Sequence, residues 1–105
     1  MVNEEIKAIT AKFVSALNPK SVYLFGSYAR GDYNDESDYD FYIVMPGKRK
    51  VTCNTTAKAY MSLTGMKRRP VDIIVNNEAD FDERSTCFSA LEETVVKEGV
   101  RLYEK

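Results

Sequence analysis

The apolar positions change their spacing several times along the chain, and each change predicts a different element. Near the start, four apolar residues recur at helical intervals: Ile6, Ile9, Phe13 and Leu17. This spacing places them on one face of a helix, which Asn3 can cap at its beginning. The dipeptide Asn18-Pro19 ends the pattern, because proline restricts the residue before it and cannot continue the helix. We therefore predict an amphipathic helix between these two signals.

Runs of β-branched and aromatic residues predict the strands. The predicted strands are Ser21–Phe25, Asp38–Met45 and Val71–Val75, with a short final strand at Val100–Tyr103. Gly26-Ser27 closes the first of these runs and Pro46-Gly47 closes the second. Glycine and proline are frequent in turns, so these dipeptides mark the strand ends.

Helical patterns fill the intervals between the strands. They are a brief helical turn at Tyr28–Arg30, a helix at Thr52–Thr64 with Ala57, Tyr60, Met61 and Thr64 on one side, and a last helix from about Asp82 to Glu98 with Phe88, Leu91 and Val95 facing inward. The segment Asp32–Ser37 is predicted as a loop. Because helices and strands alternate, we predict a layered α/β or α+β domain.

The size and charge of the chain limit its function. Its 105 residues fit one domain, residues 1–105, and its net charge of −1 argues against a general nucleic-acid binder. No apolar run approaches about 18 residues, so no membrane span is predicted. The N-terminus lacks a signal pattern, which makes the cytoplasm the expected compartment. The basic runs Lys48–Lys50 and Lys67–Arg69 are most simply solvated faces, with a phosphate-facing or partner-facing patch as the alternative.

The residue types available restrict the chemistry. The chain has no histidine, and Cys53 and Cys87 form no CxxC pair, so we predict buried or half-buried free thiols. The absence of histidine removes imidazole bases, Ser-His triads and the usual zinc sites. Any reaction must therefore use carboxylates, hydroxyls, lysine or arginine.

A dense cluster of acids precedes the second predicted strand: Asp32, Asp35, Glu36, Asp38 and Asp40. A solvated loop is the simplest interpretation, and an EF-hand is excluded because the sixth position from Asp32 is Ser37 rather than glycine. Residues two apart on a strand share a face, about 6–7 Å apart, so Asp38 and Asp40 project together. Asp72 opens the third strand and joins them if that strand lies alongside. Oxygen-only ligands of this kind select hard cations such as Mg²⁺.

Gly26 and Ser27 supply a candidate phosphate site. A strand that ends in Gly-Ser and enters a helical turn presents backbone N–H groups and a hydroxyl to an anion, and Arg30 lies one turn further on. Each feature alone has a structural explanation: Gly-Ser as a turn, Asp-x-Asp as strand-entry polarity, and Asp72 as the cap of its strand. Together, anion donors and three acids indicate a nucleoside triphosphate site.

The combined pattern resembles the nucleotidyltransferase superfamily that includes DNA polymerase beta, and its small stand-alone branch, the minimal nucleotidyltransferases, most of all. The matching segments are GSYARG (Gly26–Gly31), SDYD (Ser37–Asp40), VDIIV (Val71–Val75) and the ending KEGVRLYEK (Lys97–Lys105). The resemblance implies a mixed sheet flanked by helices.

The resemblance also implies roles for the site residues. Gly26 and Ser27 would hold the triphosphate of ATP or another NTP, with Arg30 as a weaker match and Ser37 orienting the loop before Asp38. Asp38 and Asp40 would bind Mg²⁺, with two ions expected. Asp72 would complete the metal site and help to deprotonate the attacking hydroxyl. The resulting reaction is in-line attack on the α-phosphorus, with pyrophosphate leaving.

Similar proteins act as the antitoxin of a toxin–antitoxin pair. The resemblance therefore implies an all-helical HEPN-type ribonuclease toxin as the partner, in a complex with the chain, and transfer of AMP to a toxin tyrosine. Two alternatives stay open. The chain could silence its partner by contact alone, with an inactive site, or it could modify a small molecule or an RNA end. The three intact acids favour the enzyme.

Overall fold

A four-stranded sheet forms the centre of the computed structural model, which describes residues 3–34 and 36–105. The strands are β1 (Ser21–Phe25), β2 (Tyr39–Met45), β3 (Val71–Asn77) and β4 (Val100–Glu104). They lie in the order β3-β2-β1-β4, and β2 pairs with β3 in parallel while the other two pairs are antiparallel. The predicted α+β fold with a mixed sheet is confirmed. Asp35, which we predicted in the loop and the acidic cluster, lies outside the described residues.

Five helices accompany the sheet within the described residues: α1 (Glu4–Leu17), α2 (Ser27–Arg30), α3 (Cys53–Met61), α4 (Glu78–Arg84) and α5 (Leu91–Glu98). The limits of α1 are those the sequence predicts, because the Asn3 side chain accepts a hydrogen bond from the Ile6 amide and Asn18 is left-handed with φ 50°. All four predicted apolar positions of α1 are buried.

The two faces of the sheet carry separate apolar clusters. Residues of α1 and α3 pack on one face, against Leu24, Phe41 and Ile73 among others. On the other face, Phe81 of α4 and Val95 of α5 pack against Tyr42 and Val44. No helix in the described ranges is long and apolar enough to cross a membrane.

The predicted apolar side of the third helix is wrong. Tyr60 and Met61 are 39% and 70% exposed, whereas Ala59 and Leu63 are buried. Both sets have helical spacing, so periodicity alone could not choose between them. The helix ends at Met61, and Leu63 reaches the core from the turn that follows.

The single last helix that we predicted is instead two helices. The Asn77 side chain caps α4 by accepting a hydrogen bond from the Asp80 amide, so α4 begins earlier than predicted. Ser89, with φ 68°, lies in the connection that interrupts the helical pattern. Phe81 is the buried aromatic residue, and Phe88 is 91% exposed.

The prediction of buried thiols is also wrong, because Cys53 and Cys87 are both free and exposed. Cys53 is the first residue of α3 and Cys87 lies in the turn after α4. Both positions are at element ends, where side chains face solvent.

Candidate functional site

Asp40 and Asp72 are direct neighbours across the parallel strands β2 and β3. Adjacent strands lie about 4.8 Å apart, so both side chains leave the same face of the sheet at one end. Asp38 precedes β2 by one residue and lies two residues before Asp40. Tyr39 and Phe41 are buried in the opposite face, as the alternation predicts. The structure thus brings together the three acids that the sequence singles out.

The electrostatics of Asp40 reflect this crowding. Its pKa is raised, first by burial and then by the negative charges of Asp72 and Asp38. The Arg30 guanidinium opposes this shift, which shows that its charge acts at the same end of the sheet. The acids therefore repel one another with only partial compensation from the chain. Such a site favours a cationic ligand.

Gly26 stands directly against the Asp40 carboxylate. It has φ 77° and immediately precedes α2, and an ideal Cβ built on it would come within 2.1 Å of Asp40 Oδ2. No residue with a side chain fits there without displacing the carboxylate. Glycine therefore joins the end of β1 to α2 while leaving the acid in place.

The first amides of α2 point out of the helix. The Gly26 carbonyl accepts hydrogen bonds from the Ala29 and Arg30 amides at 3.1 and 3.0 Å. In the part of the chain that the structure describes, the Ser27 and Tyr28 amides donate no hydrogen bond. Together with the half-buried Ser27 side chain, they form a set of donors for an anion beside Asp40.

The remaining two predicted site residues, Arg30 and Ser37, lie at the edges of the candidate site. Arg30 is exposed, and its Nε lies 3.3 Å from Asp32 Oδ2, a weak surface ion pair. Ser37 Oγ accepts a hydrogen bond of 2.9 Å from the Asn34 amide. Ser37 thus closes the turn before Asp38, and its orienting role stays a prediction.

Arg69 is a site residue that the sequence did not identify. Its guanidinium lies 5.6 Å from the centre of the Tyr28 ring, and one of its NH groups donates to the Ser37 carbonyl at 3.5 Å. Arg69 therefore connects α2 to the turn that precedes Asp38. The basic run Lys67–Arg69 was visible in the sequence, but no sequence spacing relates it to Tyr28 and Ser37, which lie much earlier in the chain.

The donor set suits Mg²⁺, although the described residues contain no group of three acidic or cysteine side chains already arranged around one ion position. Mg²⁺ commonly takes one or two carboxylates and completes its shell with water and substrate phosphates. Asp40 and Asp72 supply two oxygen ligands of the required type, and the nearby anion donors can position a phosphate. The residues present therefore fit a magnesium–triphosphate complex.

Comparison with known proteins gives two sequence matches. The family model described as nucleotidyltransferase domain matches residues 6–97. A relative from Methanocaldococcus jannaschii, named "Putative protein adenylyltransferase MJ0604", is 55% identical over 49 residues, covering 41% of this chain and 47% of the relative. The match thus spans about half the length of that relative.

Solved structures share the fold. The "putative nucleotidyltransferase from Sulfolobus solfataricus" is 28% identical with a TM-score of 0.65, over 94% of this chain and 77% of that one. A structure described as "the toxin-antitoxin with AMP-PNP" has a TM-score of 0.64 at 22% identity, over 94% of this chain and 73% of the other. A second toxin–antitoxin structure, MntA-HpeT, has a TM-score of 0.61 at 17% identity, over 94% and 73%. The last two show likeness of fold alone.

Proposed function

Because the chain belongs to the nucleotidyltransferase domain family, we propose that it transfers a nucleoside monophosphate, AMP from ATP in the first instance, to a hydroxyl group of a protein partner. The predicted enzyme class agrees with this family. One observation carries the proposal: Asp40 faces Asp72 across β2 and β3 and touches Gly26, at the start of α2. Acids for a cation and donors for a triphosphate thus meet at one point.

The phosphate half of the site would bind and orient the nucleotide. The Ser27 hydroxyl and the Ser27 and Tyr28 amides would donate to triphosphate oxygens. Gly26 lets the backbone come close enough to Asp40 for the same phosphates to lie beside the acids. Arg30, on the exposed side, would add a charge-assisted hydrogen bond.

The acidic half would act on the reacting groups. Asp38, Asp40 and Asp72 would hold Mg²⁺, with two ions proposed, and when bound the metal supplies charge neutralisation at the phosphates. Asp72 lies on β3, one of the two edge strands, where an acceptor can approach from outside the sheet. It would receive the proton of the acceptor hydroxyl while that oxygen attacks the α-phosphorus and pyrophosphate leaves. Carboxylates suit this task because the chain has no histidine.

For the partner we propose a HEPN-type toxin that is silenced by the transfer. This proposal is supported by the two fold neighbours described as toxin–antitoxin complexes and by the relative named as a protein adenylyltransferase. The described residues also leave large apolar side chains exposed near the end of the chain, such as Phe88, Leu91 and Val96. An apolar surface of this kind suits contact with another protein.

The direct test is nucleotidyl transfer with a labelled nucleotide. The purified chain is incubated with Mg²⁺ and α-³²P-ATP, together with a lysate of its host or the protein encoded beside it. The double variant Asp38→Asn, Asp40→Asn is the matched control, because it removes two charges and keeps the side-chain shapes. We expect a labelled protein band with the native chain and none with the variant.

Other outcomes identify the alternatives. Label on RNA or on a small molecule would support the proposed transferase activity but identify a different acceptor. If no label appears with any of the four NTPs although a partner protein binds tightly, the proposed enzymatic activity is contradicted. The alternative of an antitoxin that acts by contact would then be favoured. Omission of Mg²⁺ should abolish the label, and label that persists without any divalent ion would contradict the proposed metal role.

A further inference from the structure

Tyr39 lies between two acids of the proposed site and points to the other side of the sheet. Asp38 precedes it and Asp40 follows it, and the Tyr39 ring is buried in the apolar cluster to which α1 contributes. Successive residues of a strand alternate between its two faces, so the ring and the acids share one stretch of backbone and occupy opposite faces. Contacts that restrict the Tyr39 ring therefore also restrict the backbone from which both acids project.

The first turn of α1 holds the Tyr39 hydroxyl. This hydroxyl donates a hydrogen bond to Glu5 Oε1 and accepts one of 3.3 Å from Asn3 Nδ2. The same Asn3 side chain caps α1, because its oxygen accepts from the Ile6 amide at 2.8 Å. Glu5 is half-buried, which partly shields its hydrogen bond from water. The beginning of α1 is thus attached to the residue between the two acids.

Two further contacts of Tyr39 reach the other parts of the site. Its amide donates to the Pro70 carbonyl at 3.1 Å, two residues before Asp72. Its ring centre lies 4.6 Å from that of Tyr28, edge to face, and Tyr28 follows Ser27 in α2. Tyr39 therefore contacts the segments that carry the third acid and the phosphate donors.

Asp38 depends most on this anchoring. The paired register of β2 begins at Tyr39, so Asp38 lies outside it, and its side chain is exposed. Asp40, in contrast, is held between Phe25 on β1 and Asp72 on β3. The direction in which Asp38 projects is therefore set by the turn before it and by Tyr39 after it.

We propose that Glu5 and the Tyr39 hydroxyl are positioning groups for the metal-binding acids. Their hydrogen bond holds the backbone at Tyr39 so that Asp38 points towards the same cation as Asp40. This inference rests on the proposed transferase activity and adds two residues that touch neither nucleotide nor metal. Loss of the bond leaves the acids in the chain and lets Asp38 take other directions. Partners that orient metal ligands from outside commonly change metal affinity or activity by about 10–100-fold.

Tyr39→Phe and Glu5→Ala are the test variants. The first removes the hydroxyl and keeps the ring against Tyr28, and the second removes the acceptor. Glu5→Gln keeps an acceptor oxygen without the charge, so it should retain what Glu5→Ala loses. Glu4→Ala is the matched control, because it removes the neighbouring first-turn acid, whose side chain is 94% exposed and pairs with Lys7.

Two measurements separate positioning from loss of folding. Mn²⁺ is titrated into each purified chain with α,β-methylene-ATP, which cannot release pyrophosphate, and free Mn²⁺ is followed by electron paramagnetic resonance. Transfer of label from α-³²P-ATP to the protein acceptor is measured against Mg²⁺ concentration. Urea denaturation gives the folded fraction of each variant, by which the apparent metal affinity is corrected.

We expect Tyr39→Phe and Glu5→Ala to raise the Mn²⁺ concentration at half-saturation about tenfold and to slow transfer by a similar factor. Glu4→Ala and Glu5→Gln should remain close to the native chain. The double variant Tyr39→Phe, Glu5→Ala should match either single variant, because both remove the same hydrogen bond. Unchanged metal affinity in the test variants would overturn the inference, as would an equal loss in Glu4→Ala or in Glu5→Gln.

The two measurements also distinguish this inference from the proposed function. Mn²⁺ binding that weakens as expected, with no transfer by the native chain, would preserve the positioning role and contradict the transferase. Transfer by the native chain, with equal metal affinity in all variants, would contradict the positioning role alone. A native chain that binds no Mn²⁺ in the presence of the nucleotide would overturn both proposals.

Discussion

The Asp40 carboxylate and the backbone of Gly26 occupy adjoining positions that leave no room for a side chain. A Cβ on residue 26 would stand 2.1 Å from Asp40 Oδ2, and the φ of 77° already disfavours any residue other than glycine. The phosphate half and the acidic half of the proposed site are therefore in direct contact.

Gly26→Ala should consequently damage both the fold and the activity. The backbone conformation alone costs about 1–3 kcal/mol for alanine. Gly47→Ala is the matched control, because Gly47 has φ 82° with no atom within 4 Å of an added Cβ. Displacement of Asp40 should lower the transfer rate about 100-fold in Gly26→Ala. Urea denaturation and the labelling rate measure the two effects.

Gly47→Ala is expected to lose stability and keep its activity once folded. Equal transfer rates in the two folded variants would show that the contact between Gly26 and Asp40 does not position the reacting groups.

Asp40→Asn should stabilise the chain while it abolishes transfer. The pKa of Asp40 is raised in the folded state above its ordinary 3.8, so the folded chain holds this proton more tightly than the unfolded chain does. Stability therefore falls as the pH rises through and above 3.8, where the crowded acid ionises. Since Asp40 is partly solvated, we expect a gain of about 0.5–1 kcal/mol at pH 7.

Urea denaturation at pH 7 and in the acid range measures this gain, which should shrink on acidification. The matched control is Asp32→Asn, an exposed acid paired with Arg30, for which little change is expected. A lower stability of Asp40→Asn than of the native chain at pH 7 would contradict the proposed repulsion of Asp40 by Asp72 and Asp38.

The sequence indicated the three candidate acids because the patterns that identify them each lie within a short segment of the chain. The period of two along β2 places Asp38 and Asp40 together, and the apolar run Val71–Val75 identifies the strand that carries Asp72. The neighbouring position of that strand required the structure. The close approach of Gly26 to Asp40 could not be predicted from the sequence either, because it depends on how β1 and β2 pair.

The errors arose where several positions satisfy the same rule. Phe81 and Phe88 both suit the inner face of a helix, and tertiary packing selects Phe81. Tyr60 was predicted on the apolar side of its helix, whereas its hydroxyl bonds to Ile73 at the sheet edge. Arg69 belongs to a basic run that resembles any solvated surface. Its contacts with Tyr28 and Ser37 join distant parts of the sequence.

Arg69→Lys should slow transfer without unfolding the chain. A guanidinium can lie over the Tyr28 ring and donate to the Ser37 carbonyl together, whereas the compact lysine ammonium cannot replace both contacts. The turn before Asp38 would then be less fixed, and we expect the transfer rate at saturating ATP to fall on the order of tenfold. Arg49→Lys, in an exposed loop after β2, is the matched control. Unchanged transfer in Arg69→Lys at saturating ATP would show that Arg69 does not position the site.

The buried carboxylate of Glu92 should make the fold sensitive to acid. It accepts hydrogen bonds from the Tyr42 hydroxyl at 2.6 Å and from Arg84 Nε at 2.9 Å. These two hydrogen bonds connect α5 to β2 and to α4. Burial is the largest influence and acts to raise the pKa of Glu92, but the hydrogen bonds from Tyr42, Arg84 and the backbone, together with the charge of Arg84, lower the pKa below its ordinary 4.5. The stabilisation is therefore present above pH 4.5 and is lost as the pH falls through the folded-state value.

Glu92→Ala should cost about 3 kcal/mol at pH 7, because it leaves the buried Tyr42 hydroxyl without its acceptor. Arg84→Ala should cost much less than Glu92→Ala, since the Arg84 side chain is 55% exposed and solvent screens its charge. Urea denaturation between pH 7 and pH 3 tests both variants, and the difference between the native chain and Glu92→Ala should narrow with acidification. A difference that stays constant with pH would mean that the protonated Glu92 carboxyl stabilises the fold as much as the ionised carboxylate does, which would contradict the expected acid sensitivity.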